Sequence, residues 1–125
     1  MNGHRPNAVQ LRETLVHIEA NPDDWYQGDY RCGSGMCFAG WRAELSGGVW
    51  AFDASDFYAH CLVATPDDNP DHVRVFRGKT VIGAFDRAQR LLGLTTPQAT
   101  RLFFPTNTLD DLRRIVSDLC SEVES

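Results

Sequence analysis

Apolar residues recur every three or four positions in several stretches of the chain, and the clearest stripes lie near its two ends. Leu11, Leu15 and Ile18 share one face of an expected helix over 7–20. Asn7 and Gln10 have capping-box spacing there, and Asn21-Pro22 ends the pattern. His17 falls on the polar side and reads as a solvated surface histidine. From Thr108 to Val123, a second stripe carries Leu109, Leu112, Ile115, Val116, Leu119 and Val123, with Thr108 and Asp111 as its capping box. Arg114 and Asp118, four residues apart, support its exposed face only slightly.

The stretch from Ser34 to Leu45 is different, because it is apolar on nearly every side. Cys37, Phe38, Trp41 and Leu45 form one broad face, and Met36, Ala39, Gly40 and Ala43 the opposite one; Arg42 and Glu44 are the interruptions. Ser34 reads as the N-cap of a helix beginning near Gly35, and Gly47-Gly48 as its stop. A helix apolar all round must be covered all round, and its small-residue side lets a neighbouring backbone approach, so it is expected to be the central element of the core.

The remaining elements are shorter. Trp25, Tyr26 and Tyr30 sit in an Asp- and Gly-rich loop expected to fold back on the core. Val49 to Ala64 reads either as a short strand around Trp50 and Phe52 or as a helix capped by Asp53 with Phe57, Cys61 and Ala64 on one side; the helix is favoured. Thr65 to Asp71 is a loop by composition. Val73-Arg74-Val75 and Thr80-Val81-Ile82 flank Phe76-Arg77-Gly78-Lys79 as a small hairpin, with Gly78 in the turn. Ala84 to Leu92, closed by Gly93, is a helix. Thr96-Pro97 caps and opens a further one that Pro105 stops. The pattern predicts one mainly α (α+β) domain over 1–125, about five helices around the buried central one with one short β-hairpin.

Composition alters this picture little, with 42% hydrophobic and 23% charged residues. No stretch approaches a membrane span, and the N-terminus lacks the apolar core of a signal peptide, so the cytoplasm is the expected compartment. The four cysteines at 32, 37, 61 and 120 are too few and too irregular for a disulfide framework. Net charge is -5 and uneven. Asp53, Asp56, Asp67, Asp68 and Asp71 lie between Ala51 and Val73 without a Lys or Arg, which disfavours nucleic acid and suits a basic partner.

Cys32-Gly33-Ser34, Cys37-Phe38-Ala39-Gly40-Trp41, Leu92-Gly93-Leu94-Thr95 and Gln98-Ala99-Thr100-Arg101-Leu102-Phe103 are the most distinctive blocks of the chain. In them it resembles a loose set of small uncharacterised proteins from actinobacteria and their bacteriophages, over roughly Leu11 to Phe103. The long Asp/Pro loop and the C-terminal helix depart from that set. The resemblance implies a soluble, stand-alone protein, often phage-encoded, with no established activity; a phage accessory protein commonly works by gripping a host factor.

Three kinds of chemistry have candidate residues. Cys37 near a helix start is placed for a lowered thiol pKa. Its surroundings resemble the cysteine segment of NlpC-type cell-wall peptidases, in which the cysteine starts a helix and the histidine opens a strand. That likeness implies Cys37 (or Cys32) as nucleophile and His72 as base. The chain departs from it in reading C-G-S-G rather than C-S-G. Ile82, Gly83 or Ala84 also stands where the orienting third group belongs. Cys32, Cys37, His60 and Cys61 are four possible zinc ligands without two C-x-x-C knuckles. Gly33-Ser34-Gly35 is a possible anion cradle that lacks a P-loop lysine.

No set is complete, and no cofactor or metal is called for. The sequence favours a non-enzymatic interaction module that engages a host protein, with a Cys/His hydrolase as the alternative. Asp67, Asp68 and Asp71 form the expected acidic rim, next to Trp25 and Tyr26 as aromatic anchors. The C-terminal stripe suits either closing the chain's own core or pairing with a second copy.

Overall fold

The computed structural model describes residues 5–31 and 35–124. Capping chemistry sets the ends of the two long helices. In α1 (Ala8–Ala20), Asn7 Oδ1 accepts from the Gln10 N–H at 3.0 Å. The Gln10 carbonyl Oε1 is buried without a partner, so only half of that capping box forms. In α5 (Leu109–Glu124) both halves form. Thr108 Oγ1 accepts from the Asp111 N–H at 3.1 Å, and Asp111 Oδ2 from the Thr108 N–H at 2.9 Å.

The α5 stripe of Leu112, Ile115, Val116 and Leu119 is buried with Leu11 and Ile18 of α1 in the main core, so it closes the chain's own interior. Ion pairs of 2.6 Å from Arg12 to Glu124 and from Arg113 to Glu19 tie the two helices at their surfaces. Arg114 pairs with Asp111 rather than Asp118, which instead meets Arg101 of α4 (Thr96–Leu102). His17 is not solvated as expected. Its ring packs on Trp41 with centroids 4.3 Å apart, and its Nε2 is buried without a hydrogen-bond partner.

The central helix is α2 (Phe38–Leu45), which begins later than the sequence predicts, with Cys37 at the N-cap position. Ser34, the expected cap, lies outside the described residues. The delay has a backbone cause. The Met36 N–H bonds the Asp24 carbonyl at 3.1 Å, the Met36 carbonyl accepts from Tyr26, and the Cys37 N–H bonds Asp29 at 2.8 Å; this pairing holds 36–37 extended. Phe38, Ala39, Gly40 and Ala43 are buried, as expected of an element covered on both sides. The Tyr30 carbonyl lies so close to Gly40 that a Cβ there would collide with it. Arg42, expected as an interruption of the apolar surface, is itself buried. Its guanidinium donates to Gln10 O, Thr14 Oγ1 and Ser46 Oγ at 3.0–3.2 Å and pairs with Glu13 at 2.7 Å.

A three-stranded antiparallel sheet, order β1-β3-β2, packs against the helices. Its strands are β1 (Cys61–Val63), β2 (Arg74–Phe76) and β3 (Lys79–Gly83). The β2–β3 hairpin is as expected except that its turn is two residues, Arg77-Gly78, with φ of 52° and 76°. Both positive angles mark the turn type that matches strand twist.

The helix favoured for 49–64 does not form. Asp56 Oδ1 accepts from the Tyr58 N–H at 2.8 Å and the Asp56 N–H bonds Asp53 O at 2.9 Å, a turn that competes with helix. The chain then enters β1, which pairs with β3 and is flanked on its other side by 49–51. α3 (Ala84–Leu92) follows β3 directly and ends at Gly93. The cap of α4 is Thr95, one residue before the expected Thr96, in a complete capping box with Gln98. Among the described residues no helix is long and apolar enough to cross a membrane.

Candidate functional site

The structure does not bring the candidate nucleophile and base together. Cys37 is 1% exposed, in the main core. Burial pushes its thiol up to about 11, overriding the amides of Ala39 and Gly40 that pull the other way. It lines a small pocket with Gln27, Tyr30 and Phe103. His72 lines different pockets, where its Nδ1 stands 3.7 Å from Asp86 Oδ1. It also ends a 3-10 turn (Pro70–His72) rather than opening a strand, since β2 starts two residues later. The NlpC-like arrangement therefore fails on both residues. The reason is that the extended 35–37 segment places Cys37 at a buried N-cap, not on an exposed helix start.

The other ligand sets fare similarly. Cys61 is buried in the sheet, and Cys32 lies outside the described residues with Gly33 and Ser34. Among the described residues no three His, Cys, Asp or Glu side chains gather to hold a metal.

The acidic rim is divided by the fold. Asp67 and Asp71 are exposed, but the Asp68 carboxylate is fully buried. Both of its oxygens accept from Arg87 at 2.7 Å, Arg90 reaches Oδ1 at 3.2 Å, and the Thr65 N–H reaches Oδ2 at 2.8 Å. Burial alone would raise its pKa. The Arg87 bonds, the Thr65 amide and Arg90 outweigh that and hold it down to about 2. Asp68 thus clamps the Asp/Pro loop onto α3, a role invisible locally because both arginines lie about twenty residues downstream.

Trp25 follows the expectation that its loop folds back on the core and is not a free aromatic anchor. It packs on the main core and donates through Nε1 to Gln27 at 3.0 Å, while Tyr26 is 51% exposed. The two aromatic residues and the two exposed aspartates line no common pocket among those described.

A surface the sequence did not single out is better formed. It lies where β2 meets the 52–58 loop. Phe76 stacks against Phe52 and Tyr58 with centroids 5.8 and 4.4 Å away, and Phe57 continues the row at 5.1 Å from Tyr58. Arg77 sits 5.0–5.3 Å over three of these rings and pairs with Asp56 at 2.8 Å; Lys79 stands 5.4 Å over Phe52. Phe57 is 86% exposed, so the row ends in an uncovered ring.

Beside this row runs an open sheet edge. The two-residue turn makes Phe76 and Lys79 a hydrogen-bonded pair, so the next pair, Val75 and Thr80, is a non-hydrogen-bonded one. The Val75 N–H and C=O therefore point away from β3, and they have no partner among the described residues. Its side chain is 78% exposed. At the other end the Val73 N–H bonds Pro70 O, which stops the edge. The available sequence signal was the density of rings and cations: Phe52, Phe57, Tyr58 and Phe76 around Arg77 and Lys79.

Comparison of the chain with protein-family models, with curated proteins and with solved structures found no match.

Proposed function

We propose that the protein is a binding module that takes an extended, acidic segment of another protein along the open edge of β2. The outward N–H and C=O of Val75, on the strand whose Phe76 joins through Tyr58 to the exposed Phe57, are the observation that carries this reading. A single strand residue offers only one pair of main-chain bonds, so the aromatic row supplies the anchor and its cations the charge preference. The hairpin segment 73–83 carries Arg74, Arg77 and Lys79 with no acidic residue, on a chain of net charge -5. In the setting that the sequence resemblance implies, the partner is a host protein met in the cytoplasm by a phage-encoded accessory protein. A single-stranded nucleic acid fits less well. The rings pack on one another, Arg77 and Lys79 cover their faces, and Asp53 and Asp56 share the loop.

Selection from a random peptide library displayed on phage, with Val75→Pro as counter-screen, tests this reading. Proline removes the outward N–H without touching a ladder bond, so the sheet is retained. The expected binders are extended sequences alternating β-branched residues with Asp or Glu, losing about tenfold in affinity to Val75→Pro and to Phe57→Ser. Binders indifferent to both variants overturn the proposal. So does retention of single-stranded RNA in their place. A dimer that dissociates on Val75→Pro overturns it too, by assigning the edge to a second copy.

A further inference from the structure

Of the chain's eleven arginines and one lysine, Arg74 alone has no ion pair or hydrogen bond among the described residues. The others all donate to carboxylates, carbonyls or hydroxyls, from Arg5 on Val123 O to Arg114 on Asp111. Arg74 lines a groove of about 240 Å³ at the start of α3, with Tyr30, His60, His72, Phe85 and Asp86. The Tyr30 hydroxyl and the His60 imidazole likewise have no hydrogen-bond partner among the described residues, although both side chains are half-buried. Burial, with Cys37 and Asp86 nearby, pushes the Tyr30 pKa up, so the hydroxyl keeps its proton and acts as a donor.

A guanidinium, a phenol hydroxyl and an imidazole, none with a hydrogen-bond partner among the described residues, thus line one hollow. We infer that this groove is a binding site for a small organic anion, a phosphate monoester or a carboxylate. Arg74, His60 and Tyr30 would hold the anionic group, and Ile82 and Phe85 offer an apolar wall to its body. Beyond His72 and Asp86 the groove continues into a second hollow of about 230 Å³ that carries Asn69 and Gln89, which suits a polar tail. Asp86 opposes a dianion. His72 Nδ1 stands 3.7 Å from its Oδ1.

The groove shares Arg74 with the cations of the proposed partner-binding edge, but it uses the side chains of Arg74 and His60 and not the backbone of Val75. An acidic side chain of a bound partner is a second source of the same carboxylate chemistry. A free probe in the Val75→Pro background separates the two.

The experiment is an NMR titration of the labelled full chain with inorganic phosphate and with phenyl phosphate, following the His60 and His72 imidazoles and the Ala84 and Phe85 amides. Phenyl phosphate is expected to give saturable shifts and to bind about tenfold tighter than inorganic phosphate, because the apolar wall holds its ring. Arg74→Gln is expected to weaken phenyl phosphate about tenfold and His60→Gln several-fold, with Asp86→Asn tightening it and Val75→Pro leaving it unchanged. Non-saturating shifts, or saturation unaltered by Arg74→Gln, overturn the inference. If Arg74→Gln does not fold, His60→Gln and Asp86→Asn decide, since a real site must respond to them in opposite directions. Phenyl phosphate binding lost on Val75→Pro overturns the separation of the groove from the strand edge, and the free-ligand reading with it.

Discussion

The helical half of the molecule and its sheet half treat polar and aromatic side chains in opposite ways. Between α1, α2, α3 and α5, buried charge is matched: Arg42 has three hydrogen-bond acceptors and Glu13, and Asp68 has Arg87 and Arg90. Rings there are enclosed, as with Phe38, fully buried beside Phe103 at 6.5 Å. Around β2 the reverse holds. Phe57 and Val75 are uncovered, a strand edge is open, and the Arg74 guanidinium, the His60 imidazole and the Tyr30 hydroxyl have no hydrogen-bond partner among the described residues. The helical half matches its buried charges within the chain, although Gln10 Oε1 and His17 Nε2 of α1 stay buried without a partner. The sheet half leaves an edge and an apolar ring open to solvent, which is the arrangement the proposed binding edge uses.

The contrast is broken most severely from the helical side. Phe38→Ala removes a fully buried ring from the main core and is expected to cost about 3–5 kcal/mol, read as a lower midpoint of urea unfolding. Asp68→Asn comes next. It leaves the nearly buried Arg87 without its charge partner, at a cost of about 3 kcal/mol.

The same clamp carries a pH signature. The Asp68 carboxyl titrates at about 2 in the fold, well below the ordinary value near 3.9 for an unfolded chain. A depressed pKa contributes stability above the unfolded value and loses it as pH falls through the folded one, here between about pH 4 and pH 2, on the order of 2 kcal/mol. Urea midpoints measured across that window fall in the wild type and flatten in Asp68→Asn. Equal slopes in both would mean that the loop is not held by this carboxylate.

How far the sequence reached follows the same division. Elements stated by local chemistry were legible: the Thr108–Asp111 box, Gly93 after α3, the hairpin around Gly78, and the apolar stripes of α1 and α5. The density of small residues in α2 foretold the close backbone at Gly40. What failed depended on partners distant in sequence. Asp68 looked like surface because its arginines stand on α3; His17 looked polar because Trp41 covers it from another helix. The alternative reading of Cys37 as a nucleophile missed the pairing of Met36 with the 24–26 segment, which delays the helix and buries the thiol in the interior stretch the sequence did mark. The 49–64 stretch had both strand and helix signals, and a backbone turn at the Asp53 carbonyl with a side-chain turn at Asp56 decided against the helix. The β2 edge was not legible either, because which strand lies outermost is a property of sheet order and not of the strand's own residues.

The smallest expected effect sharpens the comparison most. Phe57→Ser removes a ring that is 86% exposed and touches the fold only through Tyr58 at its edge. Its unfolding free energy should stay within about 0.5 kcal/mol of wild type, against the several kcal/mol lost on removing the ring of Phe38. Paired urea curves of the two variants measure that difference directly. A large exposed ring whose loss leaves the fold untouched does no structural work in the monomer, which is what the proposed partner contact at the end of the row requires of Phe57. Destabilisation by Phe57→Ser comparable to that of Phe38→Ala would place Phe57 inside the folding core instead, and the division between a closed half and an open half would no longer describe the molecule.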